Sequence, residues 1–150
     1  MNTSMDYYLC KKYPKIFVDR HGNPLETCMT RGFECDGGWV CLIDNLCQSI
    51  QNYIDNNNRW VQSIIDGKSV AIGLIPELIE QVVAQQVKEK LGGLRFYHKG
   101  GDDTIRGMVM FAQDLSFNIC EMCGSFDNVS MVKSKTGWLK TKCAECNPIE

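Results

Sequence analysis

The sequence predicts an α-rich α+β fold, with a helical body, a short strand region and a C-terminal ribbon. Three observations predict it. Apolar residues recur at three- and four-residue steps, as in helices that bury one face. A short segment alternates apolar and polar residues, as a strand does. Two Cys-x-x-Cys pairs stand near the C-terminus. We therefore expect an irregular N-terminal arm over 1–35, a helical body over 36–118, and a ribbon over 119–150 packed on the body.

The N-terminal arm shows no clear period, and its run DRHGNP at 19–24 is a turn signal. No regular element is predicted in it. We expect its apolar residues to attach it to the body: Tyr8, Leu9, Ile16, Phe17 and Val18.

The first predicted helix spans residues 39–54. Asp36 precedes it, and its carboxylate is expected to accept hydrogen bonds from the free N–H groups of the first turn. The run DNNN at 55–58 is expected to end it. RWVQSIIDG, after it, predicts a short second helix or a turn, and KSVAIGLI an extended piece. The apolar stripe of the first helix is Trp39, Ile43, Leu46, Cys47, Ile50 and Ile54.

Pro76 predicts the start of a further helix, because its missing N–H costs nothing in the first turn. Gly92 and Gly93 are expected to end this helix, since glycine tolerates the positive φ of a helix C-terminus. The expected apolar face is Ile75, Leu78, Ile79, Val82, Val83 and Val87.

LRFY at 94–97 alternates and predicts a short strand, with Leu94 and Phe96 on one face and Arg95 and Tyr97 on the other. HKGGDD then turns the chain. A last helix follows, capped from residues 102–104, and it runs directly into the first cysteine pair. Its expected inward residues are Ile105, Met108, Val109, Ala112 and Leu115.

The two cysteine pairs form the pattern Cys-x2-Cys-x19-Cys-x2-Cys, through Cys120, Cys123, Cys143 and Cys146. This spacing predicts one tetrahedral zinc ion held by four thiolates, and a closed shell of this kind is structural because it leaves no position for water. A redox dithiol and an iron–sulfur cluster are the rival interpretations. The residues between the pairs predict a β-hairpin that turns near KTG, with Val132 and Trp138 packing.

Length, charge and cysteine content narrow the class of protein. The chain has 150 residues, which suits one domain, and a net charge of −2, which is unlike proteins that rely on phosphate neutralisation. Nine cysteines without an export signal or a long apolar run predict a cytoplasmic, thiol-rich protein with no membrane span.

The motifs of several enzyme classes are missing from the sequence. Zinc deaminases, zinc proteases, His-Asn-His nucleases, nucleophile-elbow hydrolases, P-loop enzymes and dinucleotide-binding enzymes each require a pattern that the chain does not contain. Thiol catalysis is the enzymatic interpretation that remains, and it would use Cys35, Asp36 and His98. The better interpretation is that the chain is not an enzyme.

Six short motifs, in order over residues 13–146, make the chain resemble a family of small uncharacterised proteins from phage, prophage and bacterial genomes: YPKIF, GFECDGGW, CLIDNLC, QVKEKLGGLRFY, FNICEMCG and GWLKTKC. The family pattern has Cys-Gly-Asp-Gly-Trp where this chain has Cys35-Asp36-Gly37-Gly38-Trp39, and Phe where it has Leu91. The resemblance implies a phage-type accessory protein in a bacterial cytoplasm, and it implies no particular activity.

Two segments are candidate binding sites as well as structural elements. GFECDGGW is either a helix start or a loop that binds a ligand or partner through Glu34, Asp36 and Trp39. KEKLGGLRFYHK is either a helix end with a strand or an anion site, in which Lys88 and Arg95 contact phosphate and Tyr97 stacks on a base.

These residues support two main hypotheses of function. In the first, the chain is a non-catalytic, zinc-stabilised binding protein that docks on a host protein or captures a small nucleotide-like ligand, with counter-defence as one such role. In the second, it is a nucleic-acid-binding regulator whose ribbon lysines follow the phosphates. Those lysines are Lys133, Lys135, Lys140 and Lys142.

Overall fold

Three α-helices and two small β-sheets form the part of the chain that the computed structural model describes, residues 1–74, 76–134 and 136–147. The predicted α+β class is confirmed. The helices are α1 (Thr3–Lys12), α2 (Val40–Ile65) and α3 (Asp103–Leu115); the strands are β1 (Phe33–Glu34), β2 (Val83–Lys90), β3 (Gly93–Lys99), β4 (Val129–Lys133) and β5 (Leu139–Cys143). Short 3₁₀ turns lie at Val18–His21, Cys28–Arg31, Gly37–Trp39 and Ser116–Asn118.

The larger sheet has the order β1-β2-β3, with β1 parallel to β2 and β2 antiparallel to β3. Strands β4 and β5 form a separate antiparallel hairpin, which is the ribbon between the two cysteine pairs. Helix α3 packs against β3 and α2. The N-terminal segment covers the open side of β2, where the backbone N–H of Ala84 donates to the carbonyl of Ile16 at 2.8 Å.

One apolar core joins the N-terminal segment, α2, α3 and the larger sheet. Phe17 lies edge-on to Phe33 and Phe96, at ring-centre distances of 5.0 and 6.4 Å. Fully buried side chains from every part of the body meet there: Leu9, Ile16, Met29, Trp39, Ile43, Ile50, Val82, Val87, Leu94 and Ile105.

The N-terminal arm contains a helix, although the sequence predicts an irregular segment. Asn2 caps α1 by accepting the N–H of Met5 at 2.9 Å. The helix buries only Leu9, and so thin an apolar stripe leaves no visible period. The expected attachment by Leu9, Ile16 and Phe17 is confirmed, whereas Tyr8 and Val18 are exposed.

Helix α2 continues through the DNNN run to Ile65, so the prediction that it ends at 55–58 is wrong, and RWVQSII is its last two turns. Asparagine is a poor helix residue, but tertiary contacts hold these residues in place. The Asn58 amide pairs with the backbone of Ile79 in both directions, at 2.8 and 2.9 Å, and Asn57 donates to the carbonyl of Glu77. KSVAIGL is irregular, as are residues 76–82.

The helix predicted from Pro76 to Gly92 is wrong, because β2 occupies residues 83–90. The sheet register shifts between Ala84 and Gln86. This bulge places Ala84 and Val87 on the buried side at a three-residue step, which imitates a helical stripe. Ile75, on the predicted helix face, lies outside the described residues.

Strand β3 and helix α3 form where predicted, but α3 ends at Leu115 and a 3₁₀ turn separates it from the first cysteine pair, so the prediction that it runs directly into that pair is wrong. Leu94 and Phe96 are buried, and the Asp102 side chain caps α3 by accepting the N–H of Ile105 at 3.0 Å. Within the described residues, no helix has both the length and the apolar character that crossing a membrane requires.

Candidate metal centre

The four cysteines of the two pairs come together at the end of the ribbon. The sulfur atoms of Cys120, Cys123, Cys143 and Cys146 all lie within 4.8 Å of one another. The Sγ atoms of Cys123 and Cys143 are 3.6 Å apart, close to the edge of about 3.8 Å that a tetrahedron with 2.3 Å metal–sulfur bonds requires. The four sulfurs could hold a metal ion.

Backbone N–H groups around the first cysteine favour its thiolate. Burial raises the pKa of Cys120, but hydrogen bonds from the backbone of Cys143, Cys123 and Met122 outweigh it and lower the pKa to about 6. Cys146 has the opposite shift, because hydrogen bonds with Cys123 and Cys143 raise its pKa to about 12. A cation is what would let all four sulfurs ionise together.

The hairpin between the cysteine pairs forms as predicted, with Thr136 and Gly137 in its turn. Val132 is half-buried. Trp138, predicted to pack, is 68% exposed, so that prediction is wrong; the residue lies next to the hairpin turn.

The GFECDGGW loop lies directly against the first cysteine pair. The backbone N–H of Gly38 donates to the carbonyl of Glu121 at 2.7 Å. A Cβ on Gly38 would stand 2.2 Å from the carbonyl oxygen of Cys120 and 2.5 Å from the nitrogen of Gly124, so only glycine fits. Gly124 itself has a φ of 80°. We call residues 120–126, the first cysteine pair and the turn after it, the metal knuckle. Two glycines, 86 positions apart in the sequence, thus let the loop and the metal knuckle meet backbone to backbone.

Glu121, between the first two cysteines, joins this contact through its buried side chain. Its Oε1 accepts the backbone N–H of Asp36 at 3.1 Å and the ammonium of Lys140 at 2.8 Å. Burial raises the pKa of Glu121, although the bond from Lys140 opposes the shift. Lys140 also lies 3.6 Å from Asp36 and 4.0 Å from Glu89. Nothing in the sequence indicates that Glu121 is buried.

Two further contacts fix the ribbon to the body. The indole N–H of Trp39 donates to the carbonyl of Ile119 at 3.0 Å, and the hydroxyl of Thr141 donates to the carbonyl of Gly92 at 2.6 Å. Trp39 is fully buried, as its predicted inward packing requires, so its side chain is not available to a ligand. The prediction that the Asp36 carboxylate caps the following helix is wrong. It accepts no capping hydrogen bond and lies 3.6 Å from the Lys140 ammonium instead.

Four of the six predicted binding residues lie together on the outer face of the larger sheet. Glu34, Lys88 and Arg95 are partners in one row across the three strands, and the Lys88 ammonium lies 5.7 Å from the Tyr97 ring centre. Gln86 donates to Glu34 at 2.6 Å. We call these five residues the sheet face. It is mixed in charge.

The ribbon lysines do not form one stripe. In the hairpin register Lys140 and Lys142 share a face, whereas Lys133 pairs with Leu139 on the other. Lys140 is held by Glu121, Asp36 and Glu89. Lys135 lies outside the described residues.

The residues considered for thiol catalysis are poorly placed for it. Cys35 is 5% exposed, and burial raises its pKa to about 12, which disfavours the nucleophilic thiolate. His98 is on β3, opposite Ala84, and its buried Nδ1 has no hydrogen-bond partner among the described residues.

An apolar groove adjoins the metal knuckle. A hollow of about 520 Å³ lies between the start of α2, the end of α3 and the knuckle, and one of about 190 Å³ continues it along α2 and α3. Leu42, Asn45 and Leu115 line both hollows, so we treat them as one groove, the α2–α3 groove. Met122 and Phe126 from the knuckle form part of its wall and are 50% and 67% exposed. Sequence periodicity did not reveal this groove, because its residues come from four separate segments: α1, the start of α2, α3 and the knuckle.

No protein-family model, no curated protein and no solved structure matches the chain.

Proposed function

We propose that this chain is a non-catalytic, zinc-stabilised binding protein that docks on an apolar segment of another protein. One observation carries the proposal: a four-cysteine site is built into the wall of an apolar groove. Met122 and Cys123 both line the groove, so the metal knuckle shapes the surface that a partner would contact.

Zinc is the metal that suits these ligands best. Four thiolates in a tetrahedral arrangement are typical of structural zinc, and the closed set gives the ion no open position for chemistry. The ion's role is then to supply folding free energy, on the order of 10 kcal/mol, to a hairpin too small to bury a core. One zinc per chain, measured by mass spectrometry of the purified protein, is expected.

The shape of the two candidate surfaces favours a protein partner over a small nucleotide-like ligand. A ligand site is normally concave with a few fixed polar groups. The α2–α3 groove is concave but lined mainly by apolar side chains, including Met5, Met108 and Met122. Flexible methionines are frequent in grooves that take apolar peptide segments. The sheet face has the cations for phosphate, yet Glu34 lies in the same row as Lys88 and Arg95.

The resemblance to phage and prophage proteins supports a host protein as the partner. An accessory protein that acts on a host factor, in counter-defence for example, would work in the bacterial cytoplasm. Nucleic-acid binding has less support, because the acids around Lys140 compete with phosphate for that side chain.

The test compares two variants with matched exposure on the ribbon. Phe126→Ser alters the groove wall, and Trp138→Ser alters the hairpin turn, where the side chain is 68% exposed. Wild type and both variants would be immobilised on a resin and exposed to bacterial lysate. The proteins, nucleic acids and small molecules that each retains would be identified by mass spectrometry. We expect a protein retained by wild type and Trp138→Ser and lost by Phe126→Ser.

Other results would contradict the proposal. Equal retention by the two variants would exclude the groove. A co-purifying nucleotide with no protein would favour the sheet face. Retention of nucleic acid that weakens steeply as salt rises would favour the ribbon lysines.

A further inference from the structure

We propose that two copies of this chain form a two-fold dimer, in which α2 pairs antiparallel with α2 of the second copy. Val70, Ile72 and Leu74 of each copy then occupy the α2–α3 groove of the other. The proposal uses the same groove as the proposed function but does not depend on a host partner. Binding of a partner and dimerisation would compete.

An exposed apolar segment after α2 needs an explanation. Val70, Ile72 and Leu74 are 86%, 99% and 97% exposed, and they alternate along the chain. Ile65 and Trp60, just before the segment, are 64% and 47% exposed. Exposed apolar clusters of this kind mark interaction surfaces.

The segment cannot reach the main groove of its own chain. Ser69 is fixed to Ser63 by backbone and hydroxyl hydrogen bonds of 3.1 and 2.9 Å, and Glu77 is bonded to Asn57 at 2.9 Å. Because the residues between these anchors must leave the anchors and return, they can reach at most roughly 12 Å from them, at about 3.5 Å per residue. Asn45, in the centre of the groove, lies about 27 Å from Ser63 along α2, at 1.5 Å per residue.

The outer face of α2 carries no exposed charged residue between Cys41 and Asn56, and the exposed Arg59 is the first beyond that stretch. Its exposed residues from Cys41 to Asn56 are all uncharged: Cys41, Asn45, Gln48, Ser49, Asn52 and Asn56. A solvent-facing helix surface normally carries charged residues. Near a two-fold axis each residue lies opposite the same residue of the second copy. A face without charges therefore avoids repulsion between like charges there.

An antiparallel pair brings the segment and the groove together. The midpoint of α2 lies between Asn52 and Tyr53, and pairing about that point places Trp60 of one copy beside Asn45 of the other and Ser63 beside Leu42. Asn45 and Leu42 line the groove. Ser63 lies eighteen residues, about five turns, from Asn45 and so projects from the same side of the helix. Because Ser69 is bonded to Ser63, the segment that follows Ser69 starts next to the groove of the second copy.

The contact area suits a weak or moderate dimer. The outer face of a 26-residue helix is about 39 Å long and about 10 Å wide, or roughly 400 Å² per copy. The two helices would bury about 800 Å² together, below the roughly 1,200 Å² of a stable interface. Two segments in two grooves supply the remainder.

The experiment measures the molar mass of the zinc-loaded chain by sedimentation equilibrium, at chain concentrations up to roughly 100 µM. Asn52→Asp places two carboxylates at the two-fold axis, and Thr104→Asp, at an exposed α3 position, adds the same charge elsewhere. Ile72→Asp alters the segment, and Leu25→Asp, at a site 93% exposed, is its matched control.

We expect a wild-type dimer, at least a tenfold weaker dissociation constant for Asn52→Asp and for Ile72→Asp, and no change for either control. Circular dichroism establishes that each variant is folded. A monomeric wild type, or a dimer that either test variant leaves unchanged, would overturn the proposal. A monomer that still retains a partner through Phe126 would overturn the dimer and leave the proposed function standing.

Discussion

Gly38 holds the backbone contact between the GFECDGGW loop and the metal knuckle. A Cβ added at this position would lie nearest to three atoms, from Cys120, Glu121 and Gly124, and all three belong to backbone, which cannot move aside as a side chain can. The loop therefore leads into α2 and also forms the surface on which the metal knuckle packs.

Gly38→Ala should destabilise the fold by on the order of 3 kcal/mol, because overpacking at this contact forces the knuckle away from α2. Gly107→Ala is the control, since its Cβ would meet nothing within 4 Å on α3 and should stabilise that helix by about 1 kcal/mol. Urea unfolding of the zinc-loaded proteins measures both. Equal midpoints for the two variants would refute the close approach.

Lys140 neutralises the buried Glu121, and its loss should be costly. Lys140→Met would leave a buried carboxylate uncompensated, which costs about 3–5 kcal/mol for fully buried pairs. Because the Lys140 side chain is 29% exposed, we expect about 2 kcal/mol. Adding Glu121→Gln should recover part of the loss, since the amide oxygen can still accept the N–H of Asp36.

Lys133→Met, at an exposed position of the same hairpin, should be nearly neutral in the same urea assay. A Lys140→Met variant as stable as Lys133→Met would show that the pair contributes nothing.

The Asp44 carboxyl should make the stability of the fold depend on pH. Burial raises the pKa of its carboxyl, but hydrogen bonds from Lys12 and Tyr13 outweigh this and lower it below the ordinary value of 3.8. A carboxyl with a lowered folded pKa contributes stability above its unfolded pKa and loses it as pH falls through the folded pKa. Asp44→Asn should therefore have a lower thermal midpoint than wild type at pH 7, and the difference should shrink as pH falls below 4. A difference independent of pH would contradict this assignment.

At the scale of elements, the turn between β2 and β3 is strained at one residue. Leu91 has a φ of 55° and Gly92 a φ of 80°, both in the left-handed region that a two-residue hairpin turn requires. Leucine is unfavourable there by roughly 1–2 kcal/mol, whereas asparagine tolerates it. Leu91→Asn should raise the free energy of unfolding by about 1 kcal/mol.

Leu25→Asn, at a site with no positive φ, controls for the loss of an exposed apolar side chain. If chemical denaturation gives the two variants the same shift, backbone strain is not the cause.

At the scale of the whole molecule, the ribbon and the body share contacts, so metal removal should affect both. Gly38 and Trp39, at the start of α2, bond to Glu121 and Ile119. Chelation should therefore increase hydrogen exchange in residues 119–147 and also in 36–43, while β2 and β3 stay protected.

Cys143→Ser should reproduce the effect of chelation without a chelator, and Cys28→Ser, at an exposed cysteine outside the cluster, should not. Exchange that rises only within 119–147 would mean that the ribbon unfolds independently of α2.

Local patterns were sufficient where the signal lies within a few residues. The paired cysteines, the Asp102 cap and the alternation of LRFY each depend on near neighbours, and each was predicted. Patterns failed where a distant contact decides the outcome. The bulge in β2 imitates a helix, and Asn58 stays helical because it pairs with the backbone of Ile79.

By itself, the sequence determined the α+β class, the four candidate metal ligands and the strand and helix that precede them. The Cys-x-x-Cys spacing and the apolar periods involve residues only a few positions apart, so they can be read locally. Only the tertiary structure decided that Glu34, Lys88, Arg95 and Tyr97 share one face, and that Asp36 and Trp39 belong to the knuckle instead. It also decided that Glu121 is buried with Lys140. Such pairings depend on how strands and loops far apart in the chain meet, and no local pattern records that.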